Sequence, residues 1–571
     1  MPRLRVMRAT PLLLLLALLL TACGGGGGDG STTAPPPAEQ PGLTDATVYS
    51  SAADASLPGA VEAAAVTAQS LSANGQTLSY TATAGHLIAR DATGAAQASV
   101  FYVGYTLPGA DVATRPVTFF YNGGPGSASV WLQLGSFGPK RLAAGVPGMT
   151  VTRPFAMVDN AEHLLGQSDL VFINAVGTGY SQAIAPFTNR SFWSVDSDAA
   201  LFRDFILRYL AVNNRAGSPK YLFGESYGGP RTAVLARRLQ EVGVMLDGVV
   251  LQSPAMDYNS NCGITAAQGC AGYLPSYAAV GAFHRLTQPV PADAGAWAAQ
   301  ARVYADQVYA PALQVWLSSH QPTPAVWQPL ADLTGLPAAQ WQADLNVSAG
   351  SFRQLLMPGQ LLGRYDGRMK APSGSALAAE GDPSSTWIND SFAQGIATHL
   401  RDQLGYRNAS TYVVLSNAVN LWDFSHAGRA LPDTLPDLAA ALAQNPRLRV
   451  MAVSGYHDLA TPFHLTEIDL ARVDASRVRI RNYAGGHMSY LDDATRAAQL
   501  ADMKAFYADT LALRAAADLG PERRALSARP AVAVDRAGTP QVPGSVAPTS
   551  ERAFQAPLRD PWVPPQTMRA P

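Results

Sequence analysis

The stretch Lys220-Tyr221-Leu222-Phe223-Gly224-Glu225-Ser226-Tyr227-Gly228 decides the fold. Its apolar beginning at 220–223 predicts a buried strand, and residues 229–239 predict a helix directly afterwards. A sharp turn from strand to helix needs glycine where a Cβ would clash, and it lifts the serine hydroxyl above a sheet at a helix N-terminus. We therefore interpret Ser226 as a nucleophile. The alternative is an ordinary serine in a turn.

Short apolar runs of the same kind occur on both sides of this turn. They lie at residues 116–121, 169–174 and 248–252, and each ends in Gly, Pro or polar residues, as buried parallel strands do. Helical patterns at 196–210 and 231–242 separate the later runs. This alternation predicts an α/β protein. We expect the α/β-hydrolase fold, with a mostly parallel sheet and a large, mainly helical lid insertion.

Composition divides the chain into six regions. The regular strand and helix pattern is interrupted once, and both ends are poor in large apolar side chains. The predicted regions are a lipoprotein signal peptide at 1–22, a disordered tether at 23–75, a first part of the hydrolase core at 76–256, a lid insertion at 257–440, a second part of the core at 441–515, and a disordered tail rich in Pro, Ala and Arg at 516–571.

The N-terminal residues predict export and lipid attachment. Positive charges precede an apolar run at 12–20, which is too short to cross about 30 Å of hydrocarbon as a permanent helix. The sequence Leu20-Thr21-Ala22-Cys23 resembles the lipobox of bacterial lipoproteins, which implies cleavage before Cys23 and acylation of that residue. We therefore expect a protein of the bacterial cell envelope that is lipid-anchored at the outer membrane and faces the periplasm. A secreted protein with an incidental Cys23 is the alternative.

Charge and cysteine content exclude other classes of function. The 571 residues carry 41 Lys plus Arg against 42 Asp plus Glu, a formal net charge of -1, so no positive field attracts nucleic acid. Besides Cys23 only Cys262 and Cys270 remain, and in an oxidising compartment this nearby pair predicts a disulfide. A metal site would need more ligands, and we expect neither a metal nor a cofactor.

A serine nucleophile needs a base, and the base needs an orienting acid. In the α/β-hydrolase order both follow the nucleophile, with the acid first. Asp458 comes just after a predicted strand at 447–454, and His487 comes just after the last predicted strand at 477–483. We therefore predict Asp458 as the acid and His487 as the base.

Other side chains near these positions leave alternatives open. His457 or His464 could serve as the base, although either could be an ordinary loop histidine. Asp492 or Asp493 could serve as the acid, although both resemble N-caps of the closing helix that we predict at 493–513.

A glycine-rich loop supplies candidate donors for a developing oxyanion. The residues Asn122-Gly123-Gly124-Pro125-Gly126 directly follow the predicted strand at 116–121. Backbone N–H groups can converge in such a loop, and we predict that those of Gly124 and Tyr227 form an oxyanion hole. The alternative is a tight turn without a catalytic role.

Four separated segments now share one pattern, and together they resemble the serine carboxypeptidase family, peptidase family S10, over roughly residues 76–513. The segments are Asn122-Gly123-Gly124-Pro125-Gly126, Val176-Gly177-Thr178-Gly179-Tyr180-Ser181, Gly224-Glu225-Ser226-Tyr227-Gly228 and Gly485-Gly486-His487-Met488. Gly455-Tyr456-His457-Asp458 makes the resemblance closest to the bacterial branch. The resemblance implies the roles already inferred from the residues, namely nucleophile Ser226, base His487, acid Asp458, and oxyanion donors Gly124 and Tyr227.

The resemblance also implies how a substrate is selected. In the family, residues matching Asn122, Gly123 and Glu225 hold the terminal carboxylate of a peptide, which requires that one of the two carboxyl groups carries a proton. Many members place a second carboxylate after the glycine loop to share that proton, whereas this chain has Gln133 at or near that place. We therefore expect Glu225 to be less easily protonated and the preference for a free C-terminus to be altered.

These features together predict a serine-type carboxypeptidase that hydrolyses the C-terminal residues of peptides through an acyl-enzyme. An esterase or another acyl-transfer hydrolase on the same triad is the nearest alternative. A catalytically silent lipoprotein that binds a partner at the cell surface is a third possibility. The sequence contains no signal for an oligomeric state.

Overall fold

The computed structural model describes residues 42–262 and 269–519. The predicted signal peptide, the lipid-attachment residue Cys23 and the tail beyond residue 519 lie outside the described residues. Within the described residues, no helix combines the length and apolar character that crossing a bilayer requires.

The strands number sixteen in the described part of the chain. They are β1 Leu43–Asp45, β2 Ala64–Ala73, β3 Gln76–Arg90, β4 Ala96–Thr106, β5 Val117–Tyr121, β6 Lys140–Leu142, β7 Met157–Asp159, β8 Asp169–Ile173, β9 Gln182–Ala183, β10 Lys220–Glu225, β11 Gly248–Gln252, β12 Gln360–Leu362, β13 Lys370–Pro372, β14 Tyr406–Asn408, β15 Arg449–Gly455 and β16 Val478–Tyr483.

The α-helices of the same residues are α1 Val130–Gly135, α2 Val195–Val212, α3 Gly228–Glu241, α4 Leu274–Phe283, α5 Ala294–Tyr304, α6 Ala310–Ser319, α7 Pro324–Thr334, α8 Ala338–Ala343, α9 Ala349–Leu355, α10 Pro383–Thr398, α11 Ala418–Leu421, α12 Leu435–Gln444, α13 Phe463–Leu470 and α14 Arg496–Leu519. Short 3₁₀ turns lie at Asn189–Phe192, Tyr258–Ser260, Cys270–Tyr273, Ala475–Arg477 and Ser489–Leu491, and π-helical turns lie at Ala305–Tyr309 and His399–Gln403.

One sheet of ten strands organises the described residues. Its order is β16-β15-β11-β10-β5-β8-β4-β3-β2, and β9 pairs with β4. Neighbours from β16 to β8 are parallel, and those from β8 to β2 are antiparallel. The chain passes from β5 to β8 on one side and returns to β10 on the other. This strand order, with helices on both faces, is the predicted α/β-hydrolase fold. The winding reverses at β5, where sheets of this kind bind ligands at the carboxyl ends of their strands.

Side chains of each central strand alternate between two apolar layers. On β5, Phe120 stacks between Phe172 and Phe223, with ring centroids 4.7 and 4.8 Å away. Its neighbour Phe119 points to the opposite face and packs edge-on against Tyr209 of α2. Both faces are therefore buried, which explains why these strands appear in the sequence as continuous apolar runs.

Residues 42–75 are structured, in contrast to the disordered tether predicted over 23–75. Strand β2 pairs along its ten residues with β3, and β1 pairs with β14 of the insertion. The two residues that join β2 to β3, Asn74 and Gly75, have φ values of 52° and 73°, as a tight hairpin turn requires. Ala65 and Leu71 of β2 are buried, so this outer strand has an apolar face although it contains few large apolar residues.

The insertion between β11 and β15 has an apolar core of its own. That core includes Tyr277, Trp341 and Phe352 and also holds the predicted pair Cys262 and Cys270, which form a disulfide. The end of the predicted lid at 440 is too late in the chain. Helix α12 belongs to the sheet's own core, because Leu438 and Ala441 pack in the layer that α2 and α3 form.

Candidate active site

The turn between β10 and α3 holds Ser226 in a strained backbone conformation. Its φ is 60°, a value that L-residues other than glycine rarely adopt. The N–H group of Ser226 donates to the oxygen of Gln252, 2.9 Å away, which ties the turn to β11. A Cβ on Gly224 would lie 2.3 Å from the oxygen of Gly228, so there is room only for glycine at the first position of the pattern. The predicted sharp turn is present, and Ser226 faces a cavity.

Asp458 and His487 meet at the same edge of the sheet. Asp458 follows β15 and His487 follows β16, and Asp458 Oδ2 lies 2.8 Å from His487 Nδ1. Both side chains are buried. The other carboxylate oxygen, Oδ1, accepts from the N–H groups of Ala460 and Thr461 at 2.7 and 3.0 Å. The carboxylate is therefore fixed on both sides and can orient the imidazole.

Thr461 completes this contact. Its hydroxyl lies 2.9 Å from Asp458 Oδ2, 3.0 Å from His487 Nδ1 and 2.8 Å from the oxygen of Ser253. The hydroxyl of Ser253 in turn donates to the oxygen of His487 at 2.7 Å. The imidazole is thus held through its ring and its main chain.

The electrostatic environment favours a protonated imidazole at His487. Burial alone lowers the pKa of His487, but the carboxylate of Asp458 outweighs burial and the pKa lies above its ordinary value. Ser226 and His487 line the same cavity, and within the described residues the Ser226 hydroxyl forms no hydrogen bond to another protein group. Contacts between nucleophile and base often tighten only when substrate is bound. The cavity therefore brings the candidate nucleophile and the candidate base to one site.

The glycine-rich loop after β5 packs directly onto the Ser226 turn. A Cβ on Gly123 would lie 2.5 Å from both the oxygen of Glu225 and the nitrogen of Tyr227, which leaves room only for glycine. The N–H groups of Gly124 and Tyr227 donate to no acceptor in the described part of the chain. Two unpaired donors beside the nucleophile are what an oxyanion requires.

The side chain of Glu225 lies beneath this loop and is held by two donors. Asn122 Nδ2 donates to Glu225 Oε1 at 2.9 Å, and the Tyr490 hydroxyl donates to Glu225 Oε2 at 2.6 Å. Gln133 lies elsewhere, because its amide donates to the Tyr105 hydroxyl at 3.0 Å. Gln133 therefore does not hold Glu225 Oε2, and the hydroxyl of Tyr490 does.

Burial changes the expected acidity of Glu225. It raises the pKa of Glu225 to about 7, against the lowering effects of His487, Tyr490 and Asn122. The expectation that Glu225 is hard to protonate considered only the absence of a second carboxylate. Desolvation acts in the opposite direction and keeps a proton on Glu225 in mildly acidic solution.

A buried cation supports the loop from below. Arg231 of α3 is fully buried, and its Nη1 donates to the oxygen of Asn122 at 2.7 Å. Its Nε lies 2.7 Å from Asp198 Oδ2 of α2. The guanidinium also lies over the ring of Phe202, 4.4 Å from its centroid. Because α3 begins just after Ser226, this one side chain connects the nucleophile turn to the glycine-rich loop.

The cavity above Ser226 has a volume of about 260 Å³ and two kinds of wall. The sheet supplies the loop at 122–125 together with Glu225, Ser226 and His487. The insertion supplies the facing wall, which includes Arg353, Arg364, Tyr365, Asp382 and Asn389. Among these residues, Tyr365 contacts His487 directly. The centroids of the two rings lie 5.0 Å apart, and the main-chain oxygen of Tyr365 accepts from the main-chain N–H group of His487 at 2.6 Å.

The four alternative side chains make other contacts. His457 Nδ1 lies 3.3 Å from the oxygen of Gly485, and His464 lies between Glu467 and Asp306 of the insertion. Asp492 pairs with Arg368, and Asp493 pairs with Arg141. None of the four lines the cavity in the described part of the chain. In that same part, no group of three or more His, Cys, Asp or Glu side chains is arranged to hold a metal ion.

Sequence reasoning missed Thr461, Tyr490 and Tyr365. Thr461 lies three residues after the predicted acid and Tyr490 three residues after the predicted base, so closeness to Asp458 and His487 was an available signal. Tyr365 comes from the irregular insertion, where no pattern marks it. Its contact with His487 depends entirely on how the insertion folds over the sheet.

Comparison with known proteins gives one family match. The model of the serine carboxypeptidase family matches residues 73–269, about a third of the 571-residue chain. The matched part contains the glycine-rich loop and the Ser226 turn and ends before Asp458 and His487. A search of curated proteins found no match.

Solved structures give distant likenesses. Proline iminopeptidase from Mycobacterium smegmatis is 14% identical over 78% of this chain and 99% of its own, with a TM-score of 0.32. Juvenile hormone epoxide hydrolase from the silkworm Bombyx mori is 12% identical over 76% and 80%, with a TM-score of 0.35. An esterase from Thermogutta terrifontis is 12% identical over 74% and 99%, with a TM-score of 0.31.

At such TM-scores these likenesses carry no argument, and the fold rests on the sheet order described above. The family match supports a serine-type site, because the matched residues include the strand, the turn and the helix that present Ser226. Sheet order and family match together support a hydrolase of the α/β-hydrolase type, and the match supports the serine carboxypeptidase family.

Proposed function

We propose that the protein is a serine carboxypeptidase of the bacterial branch that removes C-terminal residues from peptides. One observation carries the proposal. The carboxyl group of Glu225, held by Asn122, precedes Ser226 directly and lines the same cavity. A group that binds the end of a peptide therefore lies at a fixed short distance from a nucleophile, so that only the last peptide bond reaches Ser226.

The proposed reaction is acyl transfer in two halves. The Ser226 hydroxyl attacks the carbonyl carbon of the last peptide bond and gives its proton to His487 Nε2, while Asp458 stabilises the imidazolium at Nδ1. The free N–H groups of Gly124 and Tyr227 stabilise the oxyanion. The carbon–nitrogen bond breaks as His487 protonates the leaving amine, and water then hydrolyses the acyl-enzyme by the same proton path.

Binding of the substrate's end requires one shared proton. A peptide carboxylate is ionised near neutral pH, so it can approach Glu225 closely only when Glu225 is protonated. Burial raises the pKa of Glu225 to about 7, which supports proton-dependent binding of a free C-terminus. Asn122 and the backbone of Gly123 are the proposed further donors to that carboxylate.

Product analysis tests the proposal. Pairs of peptides that differ only in a free or amidated C-terminus are incubated with the protein and with Ser226→Ala at pH 5–8, and the products are identified by mass spectrometry. We expect release of single C-terminal residues from the free-acid peptides and none with Ser226→Ala. Equal cleavage of both peptides of a pair would contradict the proposal, and turnover of simple esters alone would favour an esterase.

We further propose that the mature protein is lipid-anchored through Cys23 in a bacterial cell envelope. The proposal rests on the Leu20-Thr21-Ala22-Cys23 sequence after a charged and apolar leader. Metabolic labelling with a clickable fatty acid tests it. Label is expected on the unaltered chain and not on Cys23→Ser, and equal labelling of both would contradict the proposal.

A further inference from the structure

The side chain of Tyr490 lies directly beside Glu225. Its hydroxyl lies 2.6 Å from Glu225 Oε2, and its side chain is almost fully buried. A phenol is a hydrogen-bond donor with no negative charge, whereas a carboxylate at the same place would compete for the proton of Glu225. The identity of the group at Oε2 therefore affects how the site holds its proton.

Two neighbours fix the position of Tyr490. A Cβ on Gly135 would lie 3.0 Å from the Tyr490 ring, so glycine at the end of α1 provides the space that the ring fills. Arg496 donates to the oxygen of Gly135 at 2.8 Å and also to the oxygen of Tyr490. The guanidinium thus joins the main chain of Tyr490 to the end of α1. These contacts hold the Tyr490 ring in place, so its hydroxyl stays beside Glu225.

The orientation of Asn122 follows from its own contacts. Its Oδ1 accepts from the N–H group of Leu132 at 3.1 Å, so its Nδ2 must face Glu225 Oε1. Glu225 therefore has one donor on each oxygen, the Asn122 amide and the Tyr490 hydroxyl. Two donors stabilise an ionised carboxylate, and they oppose the burial that favours its protonated form.

Several other groups act on Glu225 from the surrounding elements. His487 lowers the pKa of Glu225 and Asp458 raises it, and both reach the site from the loops after β15 and β16. Tyr365 faces Glu225 from the insertion. Arg496 lies behind Tyr490 and keeps the phenol in place. Among these groups, only Tyr490 and Asn122 hydrogen-bond to the carboxyl oxygens of Glu225.

We propose that Tyr490 is a positioning residue for Glu225, and that its hydrogen bond to Oε2 sets the pH range in which the enzyme binds a peptide with a free C-terminus. The inference rests on the proposed function. Donation from Tyr490 stabilises ionised Glu225, so loss of the hydroxyl makes Glu225 easier to protonate. The acyl-transfer groups are untouched, because Tyr490 contacts neither Ser226 nor His487 through its hydroxyl.

The test compares one peptide substrate with its C-terminal amide. The ratio of the two kcat/KM values is measured from pH 5 to 9, so that the titration of His487 cancels. For the unaltered protein we expect the preference for the free acid to fall above about pH 7. For Tyr490→Phe we expect the midpoint of that fall to move upward by about one pH unit, because a hydrogen bond to a charged group is lost.

Two further variants sharpen the test. Tyr105→Phe removes a buried hydroxyl that contacts Gln133 and His399 instead of Glu225, and its midpoint should equal that of the unaltered protein. Incorporation of 3-fluorotyrosine at position 490 keeps the ring and makes the phenol a stronger donor, so the midpoint should move downward. This second substitution keeps the inference testable if Tyr490→Phe does not fold.

The outcomes separate the two proposals. No preference for the free acid at any pH would overturn the proposed carboxypeptidase function. A preference whose midpoint stays in place in Tyr490→Phe, or moves equally in Tyr105→Phe, would overturn the role of Tyr490 and leave the function intact. Opposite movements in Tyr490→Phe and the 3-fluorotyrosine protein would support it.

Discussion

Arg231 donates to the main-chain oxygen of Asn122 across 2.7 Å, from a helix that begins two residues after the candidate nucleophile Ser226. The loop that is proposed to bind the substrate and the turn that presents the serine therefore share one buried cation. That cation is balanced by Asp198 of a neighbouring helix. The catalytic edge of the sheet is thus supported by an ion pair within the core.

Replacement of Arg231 by methionine should destabilise the protein strongly. Asp198 would remain buried without its partner, and breaking a buried ion pair in this way costs about 3–5 kcal/mol. Urea unfolding of Arg231→Met at neutral pH measures the loss. Arg238→Met, on the same helix, removes a partly exposed pair with Asp196 and should cost only about 0–1 kcal/mol. Equal losses in the two variants would contradict the role given to Arg231.

Asparagine at position 458 should inactivate the protein without unfolding it. An amide cannot stabilise the imidazolium of His487, and in a serine protease the corresponding change lowers kcat by about 10⁴. The rate is measured on a peptide with a free C-terminus, and circular dichroism checks the fold. Asp493→Asn, which alters an exposed residue paired with Arg141, should retain full activity. Similar rates for both variants would exclude Asp458 as the acid.

Alanine at position 123 should displace the glycine-rich loop. Its Cβ would lie 2.5 Å from the oxygen of Glu225 and the nitrogen of Tyr227, so the loop must move away from Ser226. Loss of one oxyanion donor lowers kcat by about 10²–10³. Gly59→Ala is the matched control, because no atom lies within 4 Å of its Cβ position. If Gly123→Ala retained the rate of Gly59→Ala, the proposed oxyanion hole would be wrong.

The stability of the protein should depend on pH through His426. Hydrogen bonds to Asp196 and Asp437 raise the pKa of His426 to about 9. A raised pKa adds stability that is complete below the unfolded value near 6.5 and disappears as pH rises through 9. The free energy of unfolding of the unaltered protein minus that of His426→Asn should therefore shrink between pH 6.5 and 9.

The exposed His320 provides the control for this prediction. His320→Asn should follow the pH profile of the unaltered protein, because the exposed ring of His320 packs on Trp316 and forms no ion pair within residues 42–262 and 269–519. A difference between His426→Asn and the unaltered protein that stays constant from pH 6.5 to 9 would show that His426 acts without its charge.

The sheet and the contact between Asp458 and His487 were the predictable parts of the molecule. Buried parallel strands appear as apolar runs, so the runs predicted at 116–121 and 248–252 coincide closely with Val117–Tyr121 and Gly248–Gln252. Asp458 and His487 could be located because each follows such a strand. Local sequence sufficed where both faces of a strand are buried and where the candidate site residue comes directly after the strand.

Other features could not be inferred from the local sequence, or the sequence signal for them was overlooked. Tyr490 contacts Glu225 across 265 positions of the chain, and the space for its ring depends on Gly135. No periodicity encodes such a contact. The first hairpin did carry a signal, since Asn74-Gly75 between alternating residues is typical of a tight turn. Strand β2, which precedes this turn, contains few large apolar residues, and this composition concealed the strand.

The two walls of the cavity have separate origins in the chain. Glu225, Ser226 and His487 stand at the ends of sheet strands, whereas Arg353, Arg364, Tyr365 and Asp382 reach the cavity from the insertion. Of these four insertion residues, Tyr365 is the one that contacts His487, so the other three can be exchanged without altering that contact. Under the proposed function, a designer seeking a new side-chain preference would substitute Arg353, Arg364 and Asp382 and leave the residues at the strand ends unchanged.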